Sequence, residues 1–70
     1  MSVKYDRLWH LLLDRNMKKV DLQKKAGISE FTIKKLTRNQ NVSSEVLGKI
    51  SYALDCRIED FVEFILEEEN

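Results

Sequence analysis

The sequence predicts an all-α fold, a compact five-helix bundle in which helices 2 and 3 form a helix-turn-helix. Apolar residues recur at helical spacing along the chain, and no run alternates in the way that a half-buried strand requires. The 70 residues include no proline and only two glycines, and 34% of them are charged. We therefore expect residues 1–66 to form one small domain, followed by an acidic tail at residues 67–70.

Helix 1 is predicted from about Ser2 to Arg15. Its apolar side chains Tyr5, Leu8, Trp9 and Leu12 follow i, i+3, i+4, i+7 spacing and therefore share one face. Aromatic residues in such a pattern are typical of a hydrophobic core rather than of a cofactor site. We expect this face to be buried.

The helix-turn-helix is predicted from about Val20 to Ala26 and from about Glu30 to Thr37. Gly27 lies between the two segments, where a tight turn needs a residue that tolerates positive φ, and we expect it to be a left-handed C-cap. Asp21 in the first turn of helix 2 complements the helix dipole, and Ser29 is the expected N-cap of helix 3.

Helix 4 is predicted to begin at a cap formed by Ser43 or Ser44, after a polar loop at residues 38–41. Gly48 lies inside this helix at a cost of about 1 kcal/mol relative to alanine, so we expect a close helix crossing there. The predicted buried stripe consists of Val46, Leu47, Ile50, Ala53 and Leu54.

Helix 5 is predicted to begin near Ile58 and to end in the run of glutamates at residues 67–69, which is unfavourable for the dipole at a helix C-terminus. Its expected core face consists of Ile58, Phe61, Val62 and Ile65. Phe64 and Leu66 are apolar beyond what that face needs. We therefore expect Phe64, Ile65 and Leu66 to form a homodimer interface.

The net charge of zero conceals a strong separation of charge along the chain. Residues 15–40 carry eight basic and two acidic side chains, a net charge of +6, whereas residues 41–70 carry two basic and eight acidic ones, a net charge of −6. Such segregation orients a protein on a polyanion. On charge alone, a solvated basic face without a partner remains an alternative.

Several functional classes find no support in the sequence. There is no nucleophile–base arrangement, glycine-rich phosphate loop or metal-ligand constellation, so we expect no enzyme activity, cofactor, metal or small-molecule ligand. Cys56 is the single cysteine, and its free thiol fits a reducing cytoplasm. The apolar run at residues 11–13 is bounded by His10 and Asp14, so we expect neither a signal peptide nor a membrane span.

Two stretches of the chain carry a family resemblance. One is residues 17–29, which contain Leu-x-x-x-Ala-Gly-Ile-Ser, and the other is residues 42–56, with Val-Ser followed by Leu-x-x-Ile and Ala-Leu in helical register. The chain resembles the phage-repressor-type (Xre/Cro-like) helix-turn-helix family, and more narrowly its short stand-alone bacterial members. This resemblance implies a lambda-repressor-like bundle with helix 3 in the DNA major groove. It implies a sequence-specific, repressor-like transcriptional regulator of double-stranded DNA.

The resemblance also implies which side chains contact DNA. The base-reading residues would be Glu30, Phe31, Thr32 and Lys35. The residues nearer the phosphates would be Lys19, Lys34, Arg38, Asn39, Ser43 and Ser44. One small domain covers only a few base pairs, so we expect a homodimer on a two-fold site.

A protein-interaction module is the alternative reading. In this case the fold is the same, but the acidic C-terminal helix binds a partner, as in an antitoxin. The two functions can coexist in one protein.

Overall fold

The computed structural model describes residues 2–66 and is mostly helical. Within this range the α-helices are α1 (Asp6–Asp14), α2 (Lys19–Ala26), α3 (Glu30–Thr37) and α4 (Ser44–Leu54). A 3-10 turn at Ile58–Asp60 and a two-stranded sheet of β1 (Ser2–Lys4) and β2 (Glu63–Ile65) complete the chain. The all-α helix-turn-helix type is confirmed, but the count of five helices is wrong. The expected acidic tail at residues 67–70 lies outside the described residues.

The start of the chain differs from the predicted helix 1. Ser2–Lys4 pairs antiparallel with Glu63–Ile65, with Val3 opposite Phe64, and α1 begins only at Asp6. The β-branched side chain of Val3 is buried, which suits a strand against the core. This pairing joins segments that lie at opposite ends of the chain, so no local periodicity indicates it.

The predicted helix 5 is also wrong, because residues 58–65 form the 3-10 turn and then β2. The Asp60 carboxylate accepts a hydrogen bond from the Arg57 amide at 2.9 Å, which fixes the turn. Phe61 and Val62 are buried as expected, but Ile58 is exposed. The expected dimer residues therefore lie on and after a strand, and the partner-binding surface of the alternative reading has no helix in the described part of the chain.

The helix-turn-helix prediction is confirmed. Gly27 adopts the left-handed conformation, with φ of +68° and ψ of +39°, directly after α2. The Ser29 hydroxyl accepts a hydrogen bond from the Thr32 amide at 3.1 Å, which caps α3. Ile28 is buried between these two residues and ties the turn to the core. The angle between α2 and α3 is thus set by one glycine, one apolar residue and one cap.

The core draws apolar side chains from every element of the fold except the 3-10 turn and β2. Its buried residues are Val3, Tyr5, Leu8, Leu12, Leu22, Ala26, Ile28, Ile33, Leu36, Ile50, Leu54, Phe61 and Val62. The predicted core face of α1 is confirmed, although Trp9 is only half-buried at the core margin. α2 and α3 each bury one side and leave the other exposed.

Tyr5 connects the start of α1 to the loop that follows α3. Its backbone amide donates to Asn39 Oδ1 at 3.1 Å, and its phenol donates to the Gln40 carbonyl at 2.8 Å. Burial raises the pKa of the Tyr5 phenol, because a phenolate would lose its hydration there. These two bonds hold the loop after α3 in place, including the left-handed Asn39, whose φ is +55°.

The close helix crossing predicted at Gly48 is wrong. A Cβ atom built at this position meets no atom within 4 Å, so the glycine faces open space. Its backbone is helical, and no packing reason within residues 2–66 requires the missing side chain.

We therefore expect Gly48→Ala to raise the free energy of unfolding by about 0.5–1 kcal/mol, because alanine loses less backbone entropy on folding. The matched control is Gly27→Ala, which we expect to lower it by about 1 kcal/mol or more because φ is positive there. Urea unfolding followed by circular dichroism measures both changes. Destabilisation by Gly48→Ala would show that α4 has a close neighbour at this position.

Candidate nucleic-acid interface

The outward face of α3 carries the side chains that sequence analysis singled out for base reading. Glu30 and Lys34 are exposed and Lys35 is half-buried, whereas Ile33 and Leu36 on the opposite face are buried. Phe31 is 63% exposed, although an aromatic ring of this size normally enters the core. The helix therefore presents one aromatic ring and three charged groups to an external partner.

Two side-chain pairs organise this face. Lys34 Nζ lies 4.0 Å from Glu30 Oε1, one helical turn away. Lys35 Nζ lies 5.6 Å from the centroid of the Phe31 ring, also one turn away. Exposed pairs of this kind add little stability. They do place a cation beside each of the two leading side chains, which offsets the repulsion of a phosphate by Glu30.

Thr32, the fourth expected base-reading residue, is half-buried and already engaged. Its hydroxyl lies 2.9 Å from Ser29 Oγ, and its amide donates to the same oxygen. This double contact stiffens the first turn of α3. The structure therefore gives Thr32 a capping role at the leading end of the helix.

The residues expected near phosphates occupy three helix ends. Lys19 begins α2, Arg38 directly follows α3, and Ser43 caps α4 by accepting from the Val46 amide at 3.2 Å. Ser44 is the exposed first residue of α4. Two of these ends meet in space, because Lys19 Nζ lies within 3.4 Å of the Thr37 hydroxyl at the end of α3.

Asn39 is the expected phosphate residue whose side chain is most constrained. Its Oδ1 accepts the hydrogen bond from the Tyr5 amide described above. The side-chain oxygen is therefore used to hold the loop in place. The sequence pattern gives no sign of this role, because the bond joins residues 34 positions apart.

Trp9 and Thr37 are not identifiable from the sequence as neighbours of this surface. The Lys19 ammonium lies 4.5 Å from the centroid of the Trp9 ring. Trp9 belongs to the predicted core face of α1, and Lys19 lies on the next helix, so no sequence pattern links these two residues. They become neighbours only when the start of α2 lies beside α1 in the folded chain.

The expected dimer residues lie away from α3 in sequence and are partly solvent-exposed. Phe64 is 58% exposed and Leu66 is 79% exposed, and Ile65 is half-buried. In the described part of the chain, β2 pairs with β1 alone. Its other edge offers backbone groups to which no second strand is bonded.

Residues 2–66 give little support for a metal site, a reactive cysteine or a membrane-spanning helix. No three histidine, cysteine or acidic side chains there lie close enough together to hold a metal ion. Burial raises the pKa of the half-buried Cys56 thiol, which disfavours the thiolate form. None of the described helices combines the length and the apolar character that crossing a bilayer requires.

A family model for the Cro/C1-type helix-turn-helix DNA-binding domain matches residues 7–67. The chain belongs to this family. The match begins within α1 and runs past β2, so this Cro/C1-type domain accounts for nearly the whole sequence. The identification agrees with the turn geometry at Gly27 and with the exposed face of α3.

The Cro/C1-type fold of this chain is also that of a solved structure. A crystal structure of the transcriptional regulator VanUg, in its form II, superposes with a TM-score of 0.89 and shares 44% sequence identity. The alignment covers 94% of this chain and 88% of VanUg. Among curated proteins, no sequence matches the chain.

Proposed function

We propose that the protein is a sequence-specific, repressor-like transcriptional regulator that inserts α3 into the major groove of double-stranded DNA. The observation that carries this proposal is the exposed face of α3, with Glu30, Phe31 and Lys35 at its centre, in a Cro/C1-type domain. The likeness to the transcriptional regulator VanUg supports it. An aromatic ring with no core role gains a partner when it meets a base.

The chemistry of the three side chains suggests the bases that each one reads. The Glu30 carboxylate accepts from a cytosine amine, and the Phe31 ring packs on a thymine methyl group. Lys35 donates to O6 and N7 of guanine. Thr32, held by Ser29, keeps the start of α3 rigid beside them and is the fourth residue that we propose to contact a base.

Affinity on this proposal comes mostly from the phosphates. The contacting residues are Lys19, Lys34, Arg38, Asn39, Ser43 and Ser44, with Asn39 limited to its amide nitrogen. Each phosphate neutralised by a cation releases a counterion. The logarithm of the binding constant therefore falls by about 0.9 per unit of log salt concentration for each neutralised phosphate. The net charge of +6 over residues 15–40 is the source of this attraction.

We further propose that two copies bind together through Phe64, Ile65 and Leu66. We propose a second copy as the partner of this surface because a two-fold pair presents two α3 helices to half-sites about 34–36 Å apart. Two exposed apolar side chains and an open strand edge are features that self-association covers. β2 strands from two copies would then continue the sheet.

Selection of genomic DNA tests the first proposal. Purified protein is incubated with fragmented genomic DNA at near-physiological salt, and the retained fragments are sequenced. We expect a recurrent two-fold site, lost with Lys35→Ala, because that substitution removes a base contact worth about 1–3 kcal/mol. Recovery of fragments without a shared motif would contradict base reading by α3.

Sedimentation velocity tests the proposed dimer. We expect a dimer at tens of micromolar that dissociates when Phe64 and Leu66 are both replaced by lysine. A wild-type protein that stays monomeric with and without its DNA site would contradict this interface. The outcome is independent of which bases α3 reads.

A further inference from the structure

The Lys19 side chain is held in place before any partner binds. Its ammonium lies 4.5 Å from the centroid of the Trp9 ring and 3.4 Å from the Thr37 hydroxyl. The Thr37 hydroxyl in turn donates to the Ile33 carbonyl at 2.9 Å, so its position on α3 is also fixed. Three helices thus meet at one cation, namely α1 through Trp9, α2 through Lys19 and α3 through Thr37.

This arrangement leaves part of the ammonium free. A lysine ammonium has three N–H donors. The indole face and the Thr37 oxygen are close enough to take one donor each, which leaves the third for an external acceptor. Thr37 follows Lys34 by three residues and precedes Arg38, so the held ammonium extends the basic surface at the end of α3.

We propose that Trp9 is a positioning residue for DNA binding that acts through Lys19. The indole ring and the Thr37 hydroxyl hold the ammonium where a backbone phosphate meets the junction of α2 and α3. This inference rests on the proposed function. A free lysine loses much of its rotamer freedom when it binds a phosphate, whereas a side chain already held by an aromatic face loses less. Trp9 therefore raises affinity without contacting the DNA.

A double-mutant cycle with fluorescence anisotropy on the selected DNA site tests the proposal. We expect Lys19→Gln to weaken binding about 10-fold and to lower the salt slope by about 0.9. Trp9→Leu should weaken binding about 2–5-fold, the range that a cation–π contact spans. In the Lys19→Gln background, Trp9→Leu should change nothing, because the group through which it acts is gone. Trp9→Phe, which keeps an aromatic face, should restore part of the loss.

A measurement on the protein without DNA tests the contact between Trp9 and Lys19 even if Trp9→Leu does not fold. In the NMR spectrum of the wild-type protein, the ring current of the indole should shift the Lys19 ε-methylene protons upfield. The shift should persist in part with Trp9→Phe. Lys19 protons at ordinary lysine positions would overturn the proposal.

The failures of the two proposals are distinguishable. A wild-type protein that binds no DNA overturns both the proposed function and this inference. If the protein binds DNA but Lys19→Gln leaves affinity and salt slope unchanged, only the role of Lys19 and Trp9 is overturned. If Trp9→Leu costs the same affinity in both backgrounds, its effect is structural and the positioning role is overturned.

Discussion

Replacing Lys34 and Lys35 together by glutamate is expected to weaken DNA binding by about 100-fold or more. Lys35 loses its guanine contact and Lys34 loses its phosphate contact, and each charge-assisted contact is worth about 1.5–3 kcal/mol. Glu30 would also face a new carboxylate at position 34, in place of the ammonium now 4.0 Å away. Anisotropy titrations over a range of salt concentrations measure both the affinity and its slope.

The matched control makes the same change in charge elsewhere. Lys49 and Arg57 are exposed and lie outside α2 and α3, in the acidic half of the chain. Replacing both by glutamate should lower affinity by only a few fold, through long-range repulsion that salt screens. Equal losses in the two double variants would show that net charge, and not the face of α3, governs binding.

Phe61→Ala is expected to lower the free energy of unfolding by about 3–5 kcal/mol, which is a large part of the stability of a 70-residue domain. Phe61 is 0% exposed and lies between the 3-10 turn and β2. Its removal leaves a cavity that the surrounding helices close only in part. Urea unfolding measures the loss, and a variant that is unfolded in buffer satisfies the prediction as well.

Phe64→Ala is the control for this change, because it deletes the same atoms three residues later from a side chain that is 58% exposed. We expect it to cost less than about 1 kcal/mol at protein concentrations where the chain is monomeric. Similar losses of stability for the two variants would mean that Phe61 is not buried in the core more deeply than Phe64. The pair therefore tests the burial of Phe61 against the exposure of Phe64.

The helix-turn-helix could be predicted from the sequence alone. The turn depends on Gly27, Ile28 and Ser29, which act on the backbone of their immediate neighbours. A positive-φ turn and a helix cap can therefore be predicted from the local sequence pattern. The exposed face of α3 follows from the same periodicity, since Ile33 and Leu36 define the side that is buried. Glu30, Phe31 and Lys34 on the other side of this short helix are exposed.

The end of the chain shows where local patterns mislead. The apolar residues from Ile58 to Ile65 fit helical spacing, but a strand also forms there because Ser2–Lys4 is available to pair with it. Pairing satisfies the backbone groups along one edge of each segment, whereas a helix confined to residues 58–65 would be too short to be stable without packing. Gly48 misleads in another way. Its position within α4 suggested a close helix crossing, but no neighbouring element among the described residues lies near it in the structure.

The all-α helix-turn-helix type, the turn and the outward face of α3 could all be predicted from the sequence, because each depends on contacts between residues close together along the chain. The tertiary structure alone decided the β1–β2 pairing, the hold of Tyr5 on the loop after α3, and the placement of Lys19 between Trp9 and Thr37. These contacts join distant segments whose approach depends on how the whole core packs. Residue spacing in one dimension carries no record of that packing.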